Sequence, residues 1–97
     1  MQFMVLAYDG TDAQALQRRL AVRDQHIKLC DQMKQAGEAI CGAALLDDTE
    51  QMIGSVYIVD FPSRAEVDAW LEREPYMRNN VWQDVRVIPC KVAPSFT

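Results

Sequence analysis

Four apolar runs separated by turn signals predict a four-stranded sheet. The first run ends at Asp9-Gly10, and the second and third flank the polar stretch 47–51, which predicts a β-hairpin with a longer loop. The fourth run contains Pro89, which has no backbone N–H and therefore marks this strand as an edge strand or the site of a bulge. The predicted strands are residues 3–8, 38–46, 52–61 and 82–92.

The segment between the first two strands has the apolar spacing of an amphipathic helix over residues 11–35. Thr11 followed by Gln14 fits a capping box at its start. Gly37 is suited to end the helix, because glycine adopts the left-handed cap conformation without a steric penalty. The apolar stripe of this predicted helix consists of Leu16, Leu20 and Ile27.

A second helix is predicted between the third and fourth strands. Ser63 followed by Glu66 fits another capping box at its start. The helix ends at Glu74, because a residue that precedes a proline, here Pro75, is pushed out of the helical conformation. The residues with core spacing on this helix are Val67, Trp70 and Leu71.

The resulting order of elements, βαββαβ, is the split βαβ arrangement of ferredoxin-like folds. We therefore expect an α+β protein in which two helices cover one face of a four-stranded antiparallel sheet, since right-handed crossovers place both helices on the same side. The third strand is apolar at the successive positions 56–59, which is typical of a central strand covered on both faces. A bare apolar face is unfavourable in a monomer, so we predict a homodimer whose sheets pack face to face.

Length and charge narrow the classes of function. The 97 residues suffice for one core, and we take residues 1–97 as a single domain. A net charge of -4 argues against DNA or RNA as primary partners, because nucleic-acid surfaces normally need a basic stripe. The apolar run at the N-terminus is too short for a signal sequence or a membrane span, which predicts a cytoplasmic protein without a membrane partner.

The cysteines Cys30, Cys41 and Cys90 are odd in number and widely spaced. This spacing fits neither a disulfide framework nor a zinc site, so we predict buried reduced thiols and no metal. Cys30 lies one turn beyond the only histidine, but apolar burial raises the pKa of a thiol, and we assign it no nucleophilic role. Because the chain also has no glycine-rich phosphate loop and no nucleophile elbow, we expect no cofactor and a reaction based on proton transfer.

His26 is the main candidate for chemistry, because histidine both accepts and returns a proton near neutral pH. On the helical wheel it is a boundary residue toward Met33, from where it can reach the space between helix and sheet. Arg23, about one turn earlier, is a candidate anchor for an anionic substrate. The pattern alone favours the other interpretation, in which His26 packs partly buried against a carbonyl and Arg23 pairs with a surface carboxylate.

Two motifs stand out when the chain is taken as a whole: Arg-x-x-His on the first helix, formed by Arg23 and His26, and Pro75-Tyr76 after the second helix. They occur together with the run 19–26, Gly37, Gly42, Gly54-Ser55, Glu74-Pro75-Tyr76 and the run 85–89. With these residues the chain resembles the YciI-like (YCII) family from end to end, and the two motifs in this order are the most specific part of the resemblance.

The resemblance implies a dimeric, ferredoxin-like α/β-barrel protein, similar in fold to muconolactone isomerases, with a cleft around a histidine and an aspartate. A known activity in the family is the cofactor-free dehydrochlorination of a chlorinated hydroxyhydroquinone. On this basis we expect proton abstraction by His26 on a small cyclic or aromatic oxygenated substrate, giving elimination or isomerisation. The alternative is a non-catalytic dimeric module that binds a small molecule or has a regulatory role.

The carboxylate partner of His26 is open at this point. The family usually has Asp-Pro-Tyr, whereas this chain has Glu74-Pro75-Tyr76, and Asp9 lies where many relatives carry an aspartate. Either carboxylate can orient the imidazole and stabilise its cation, as a triad aspartate does. The further candidates for substrate binding are Ser55 as a hydrogen-bond donor, Arg23 as an anchor, and Tyr76 and Trp82 as aromatic walls.

Overall fold

The computed structural model describes residues 1–96 and confirms the predicted ferredoxin-like order of elements. The elements are β1 (Gln2–Asp9), α1 (Ala15–Gln35), β2 (Ala39–Leu46), β3 (Met52–Asp60), α2 (Arg64–Arg73), α3 (Pro75–Arg78), β4 (Trp82–Cys90) and a final 3-10 turn (Pro94–Phe96). The short helix α3 was not predicted. The predicted single domain 1–97 also includes Thr97, which lies outside the described residues.

The four strands form one antiparallel sheet in the order β2-β3-β1-β4. This order makes β3 a central strand, as predicted, and places Pro89 on the edge strand β4. Val5 pairs with Tyr57 of β3 on one side and with Val87 of β4 on the other. Because directly paired residues point to the same face of a sheet, these side chains all face the helices.

Both α1 and α2 pack on one face of the sheet, which confirms the predicted layer arrangement. Every second residue of β1 contributes to the core, since successive side chains of a strand point to opposite faces. The buried apolar core consists of Phe3, Val5, Ala7, Val22, Met33, Val59, Phe61, Val67, Trp70, Tyr76, Val81 and Trp82.

The opposite face of the sheet carries no helix. Its apolar side chains include Met4 and Leu6 of β1 and Val56 and Ile58 of β3, all partly buried by their neighbours within the sheet. Ile88 on β4 is 43% exposed. Within the single chain the helices cover one face of β3, so cover of its second face stays a prediction that depends on the predicted homodimer.

Helix α1 begins at Ala15 rather than at Thr11, so the predicted capping box does not form. The carboxylate of Asp12 accepts the backbone N–H of Gln14 at 3.2 Å and pairs with Arg18 at 2.7 and 2.8 Å. These bonds hold residues 12–14 in a turn ahead of the helix. The other end agrees with the prediction, since Gly37 follows the helix with φ of 76°.

The face that α1 buries differs from the predicted apolar stripe. Leu20 and Ile27 are 46% and 40% exposed. The buried residues of the helix are Arg19, Val22, His26 and Met33. The helical wheel therefore predicted the wrong buried face and placed His26 only at its boundary. A wheel considers apolar residues alone, whereas Arg19 and His26 are buried here because each contacts a carboxylate from another element.

Within residues 1–96, no helix is both long and apolar enough to cross a membrane.

Helix α2 begins after Ser63, as predicted, but the Ser63 side chain makes no capping hydrogen bond. Its backbone carbonyl instead accepts the N–H groups of Glu66 and Val67 at 3.2 and 3.3 Å. The capping-box prediction is therefore confirmed for the position of the helix start and wrong for the side-chain hydrogen bond of Ser63.

The three cysteines are free thiols, but they are not all buried as predicted. Cys41 is exposed, and Cys30 and Cys90 are partly buried. The reason is their position, since Cys41 and Cys90 lie on the edge strands β2 and β4 and Cys30 lies at the side of α1 that faces a cavity.

Candidate active site

His26 lies in the middle of α1 and has 2% of its surface exposed. Its Nδ1 contacts Oε1 of Glu74, and its Nε2 lies 2.5 Å from the phenolic oxygen of Tyr57. The imidazole stacks on the ring of Tyr76, with centroids 3.9 Å apart and an interplanar angle of 14°. Side chains of the protein thus occupy both ring nitrogens and one face of the ring.

Glu74 reaches His26 because of the turn between α2 and α3. Its backbone is extended, with φ of -64° and ψ of 121°, as expected before a proline. Pro75 then starts α3 at the position where a missing N–H has no cost. Oε1 of Glu74 caps this helix by accepting the backbone N–H of Tyr76 at 3.3 Å, and the same oxygen contacts His26. The Glu-Pro-Tyr motif therefore holds a carboxylate and an aromatic ring against the imidazole.

Tyr57 reaches His26 from β3 by lying across a glycine of the neighbouring strand. Gly42 on β2 pairs directly with Tyr57, and a Cβ atom at Gly42 would lie 2.2 Å from Cε1 of the tyrosine ring. No other residue type leaves this space free. Glycine at position 42 is thus a condition for the contact between the phenol and the imidazole.

Cys30 lies beside the same nitrogen. Its Sγ is 3.4 Å from Nε2 of His26 and 3.9 Å from the Tyr57 oxygen. Burial raises the pKa of the Cys30 thiol to about 11, so the sulfur remains a protonated thiol near neutral pH. Burial also raises the pKa of the Tyr57 phenol, and the neighbouring Cys30 and the charge of Glu74 raise it further.

Asp9 does not contact His26 and instead belongs to a second buried network. Its carboxylate accepts two hydrogen bonds from Nη1 of Arg19, at 3.1 and 3.2 Å. Nη2 of Arg19 donates to Oγ of Ser55 at 2.9 Å, and Nε1 of Trp82 donates to the same oxygen at 3.2 Å. Burial raises the pKa of the Asp9 carboxyl, and Arg19 offsets part of that rise.

Tyr76 connects the two networks. Its ring stacks on His26, and Cζ of Arg19 lies 4.7 Å from the centroid of the same ring. A guanidinium at this distance is attracted by the π-electrons of the ring. The position of Tyr76 therefore fixes the distance between the Asp9–Arg19 pair and the His26–Glu74 pair.

A cavity of about 320 Å³ lies between α1 and β2, with His26, Tyr57 and Tyr76 in its lining. The β2 side is lined by small residues, among them Gly42 and Ala43, which leave space beneath the helix. The volume is at the lower end of the range typical of small-molecule sites.

The charged side chains of this cavity are mostly cationic. Arg23 and Lys34 are exposed at its rim, and Asp31 is the anionic member of the described lining, whereas the charge of the buried Arg19 is balanced by Asp9. An anionic or phenolic ligand is therefore favoured over a cationic one.

The predicted site residues fall into three groups. His26, Glu74 and Tyr76 are in direct contact, and the Trp82 ring lies 5.9 Å from the imidazole edge-on. Arg23 is exposed at the cavity rim.

Asp9 and Ser55 belong to the Arg19 network. The Ser55 oxygen, predicted to donate to a ligand, accepts two hydrogen bonds from Arg19 and Trp82. Ser55 and Trp82 are also not among the described residues that line the cavity, because both lie deeper beneath α1.

Sequence reasoning missed Arg19 and Tyr57. Arg19 precedes His26 by seven residues, which is two helical turns, and this spacing could have placed the two on one face. Tyr57 could have been found from the hairpin, because pairing across the 47–51 loop places its ring opposite Gly42.

A family model, the YCII-related domain, matches residues 1–91. Protein YciI of Escherichia coli is 27% identical over 97 residues, covering 94% of this chain and 97% of the relative. An uncharacterized protein of Haemophilus influenzae is 28% identical with the same coverage.

Among solved structures, a 5-chloro-2-hydroxyhydroquinone dehydrochlorinase (TftG) from Burkholderia phenoliruptrix, in complex with 2,5-dihydroxybenzoquinone, is similar in fold. It has a TM-score of 0.83 and 22% sequence identity, and the alignment covers 98% of both chains.

Proposed function

The chain belongs to the YCII-related domain family, and from this premise we propose that it is a cofactor-independent enzyme that moves protons on a small cyclic or aromatic oxygenated substrate. His26 is the general base that accepts the substrate proton, and Glu74 orients the imidazole and stabilises its cation. The reaction is an elimination or an isomerisation.

The observation that supports this proposal most directly is the buried contact between His26 and Glu74 beside a cavity. A carboxylate at Nδ1 selects one tautomer of the imidazole and stabilises the imidazolium that forms when a proton arrives. Their burial strengthens this interaction, since water does not screen it. A histidine that only filled the core would not need a buried carboxylate partner.

The cationic lining supports a substrate with an ionisable oxygen, such as a phenol or a carboxylate. Arg23 at the rim is the anchor for that oxygen. The cavity of about 320 Å³ accommodates a single substituted ring.

The chemical step begins when the base takes a proton from the substrate. The electron pair left behind moves into the ring, and a ring carbon takes up a proton, which is an isomerisation. If that carbon carries chlorine, removal of a second hydroxyl proton then expels chloride, which completes a dehydrochlorination, the reaction in the name of the structurally similar TftG. Neither outcome requires an electron acceptor.

The other site residues support the base. Asp9 balances the charge of Arg19, and Ser55 and Trp82 hold the guanidinium in place. Arg19 in turn attracts the ring of Tyr76, which stacks on His26 and forms an aromatic wall of the cavity. We therefore assign Asp9, Ser55 and Trp82 to positioning rather than to contact with the substrate.

The experiment is chloride release from 5-chloro-2-hydroxyhydroquinone, followed by a panel of catechols, hydroquinones and lactones. We expect His26→Gln to lower turnover by about 10² to 10⁴, the usual contribution of a general base. Lys28→Gln changes an exposed residue of the same helix and serves as the matched control, with turnover within twofold of wild type. Equal turnover by His26→Gln on any substrate that the wild type converts would reject the role of the base.

The second candidate is a binding module without catalysis. The observation that favours it is the occupancy of both nitrogens of His26 by Glu74 and Tyr57. Saturable binding of 2,5-dihydroxybenzoquinone, without conversion of any compound of the panel, would identify the module.

We also propose that the protein is a homodimer whose bare sheet faces pack together. The support is the uncovered apolar face that carries Met4, Leu6, Val56, Ile58 and Ile88. Sedimentation at micromolar concentration should give twice the chain mass of 11.0 kDa. Ile58→Lys should then yield monomers, whereas Lys28→Gln should not. A wild-type monomer would exclude this arrangement.

A further inference from the structure

We propose that Tyr57 is the group that meets the substrate, and that its hydroxyl relays protons between the substrate and His26. The inference rests on the proposed function and adds the identity of the acid–base group at the surface of the cavity.

Other side chains of the protein occupy both nitrogens of the His26 imidazole. Nδ1 contacts the Glu74 carboxylate and Nε2 lies 2.5 Å from the Tyr57 oxygen, so neither nitrogen is open. His26 and Tyr57 both line the cavity, but His26 has 2% of its surface exposed and Glu74 has none, whereas Tyr57 is only partly buried. A substrate that enters the cavity therefore has access to the phenol before it has access to the imidazole.

The hydrogen bonds of His26 to Glu74 and to Tyr57 have a direction that suits proton transfer. When Glu74 is a carboxylate and the imidazole is neutral, Nδ1 of His26 donates to Glu74 and the lone pair of Nε2 accepts the O–H of Tyr57. Burial raises the pKa of the Tyr57 phenol, so its proton stays on the oxygen in the resting enzyme. Tyr57 thus donates to His26 and His26 donates to Glu74, so each proton lies between its donor and the next group of the relay.

The relay step balances without a further reactant. The substrate X–H bond breaks and its proton joins the Tyr57 oxygen, while the Tyr57 O–H proton joins Nε2 of His26. The electron pair of the X–H bond stays on the substrate and moves into its ring, and chloride leaves after the ring carbon that carries it has taken up a proton. His26 becomes an imidazolium next to the Glu74 carboxylate, and the reverse movement returns the proton to product or solvent.

The neighbouring strand leaves room for the Tyr57 phenol. Gly42 is paired with Tyr57, and any side chain there would collide with the ring, since a Cβ atom would come within 2.2 Å. The competing donor near Nε2 is the Cys30 thiol, whose sulfur lies farther away at 3.4 Å. A thiol at this distance makes a weaker hydrogen bond than the phenol.

The first test compares Tyr57→Phe with Tyr8→Phe, an exposed tyrosine outside the cavity that serves as the matched control. On any substrate that the wild type converts, Tyr57→Phe should lower kcat by about 10² or more with a much smaller change in KM, because proton transfer is lost. Tyr8→Phe should stay within twofold. If Tyr57→Phe retains at least half of the wild-type kcat, or exceeds it, the substrate meets His26 directly and the relay is rejected.

The second test does not need turnover and separates the relay from the proposed function. Affinity for 2,5-dihydroxybenzoquinone, measured by absorbance titration, should fall about tenfold in Tyr57→Phe and remain unchanged in Tyr8→Phe, because the ligand loses one hydrogen bond. Equal affinity in Tyr57→Phe rejects Tyr57 as the contact. A wild type that binds but converts nothing rejects the proposed function and, with it, the transfer step.

The third test reads the tautomer of the single histidine from long-range ¹H–¹⁵N NMR spectra. The relay requires that neutral His26 carries its proton on Nδ1, and that Tyr57→Phe shifts the Nε2 resonance while Cys30→Ser leaves the tautomer unchanged. A proton on Nε2 in the neutral wild type excludes the relay, whether or not a substrate is found.

Discussion

The space between the helices and the sheet has two halves that are equally buried but differ in chemistry. The apolar half is centred on α2 and consists of Val59, Phe61, Val67 and Trp70, none of which is more than 3% exposed. Phe61 stacks on Trp70 with ring centroids 6.1 Å apart. This half is stabilised by the removal of apolar surface from water, which requires no specific partner.

The charged half lies under α1 and consists of Asp9, Arg19, His26, Ser55 and Glu74, none of which is more than 7% exposed. Removing a charge from water is costly, and only a well-placed partner compensates for it. In the apolar half, the free energy of unfolding should therefore fall in proportion to the contacts that a substitution removes. In the charged half, it should fall sharply when one member of an ion pair is removed and its partner stays buried.

The largest effect is expected in the apolar half, from Trp70→Ala. We expect a loss of about 3 to 5 kcal/mol in the free energy of unfolding, because the substitution leaves a cavity in the core. Trp70→Phe should cost much less, since the indole Nε1 has no hydrogen-bond partner within residues 1–96. Urea denaturation measures both, and a loss below about 1 kcal/mol for Trp70→Ala would contradict the assignment of stability to this half.

Breaking the pair in the charged half should have a similar but slightly smaller effect. Asp9→Ala leaves Arg19 as a buried charge with one hydrogen bond, to Ser55, and the ring of Tyr76, and we expect a loss of about 3 kcal/mol in the free energy of unfolding. The double variant Asp9→Ala/Arg19→Met should recover most of this loss, because no charge remains unpaired. Additive losses in a double-mutant cycle would show that the pair is not coupled.

Gly42→Ala tests whether the Tyr57 ring, at the edge of the charged half, requires a residue without a Cβ atom on the neighbouring strand. The added Cβ collides with Tyr57, so we expect a loss of about 1 to 3 kcal/mol. The same change in a Tyr57→Val background should cost much less, because the ring has been removed. Equal costs in both backgrounds, measured by urea denaturation, would show that the collision is not the cause.

The smallest effect is a difference in reactivity between Cys30 and Cys41. Cys41 is exposed and should react first with iodoacetamide at pH 8, as measured by mass spectrometry. The pKa of the Cys30 thiol is raised to about 11, so its thiolate fraction and alkylation rate should increase about tenfold per pH unit up to that value. Equal rates at pH 8 would show that burial does not protect Cys30.

The raised pKa of the Cys30 thiol also makes the free energy of unfolding depend on pH. The fold disfavours the thiolate, so this group loses stabilisation as the pH rises from the ordinary thiol pKa of 9.0 toward about 11. Cys30→Ser should remove this part of the alkaline dependence. The loss of stability in that pH range should therefore be smaller in the variant than in wild type.

The sequence predicted the secondary structure well where the signals are local. Asp9-Gly10, Gly37 and Pro75 end their elements by backbone geometry that neighbouring residues determine, and the structure agrees at each. The predicted cap at Thr11 failed for an equally local reason, because Asp12 forms the competing bonds to Gln14 and Arg18.

The buried face of α1 could not be predicted in the same way. A helical wheel favours Leu20 and Ile27 as core residues, yet Arg19 and His26 are buried in their place. Which face of a helix is buried depends on the partners that other elements supply. Polar residues become core residues only when those partners are present.

The sequence by itself determined the order of elements, the sheet with two helices on one face, and His26 with Glu74-Pro75-Tyr76 as the candidates for chemistry. Only the tertiary structure decided that Glu74, and not Asp9, contacts His26, and that Tyr57 occupies the second nitrogen. The physical reason is distance along the chain. Glu74 and Tyr57 are 48 and 31 residues from His26, and hydrogen bonds across such separations depend on how strands and helices pack rather than on any local pattern.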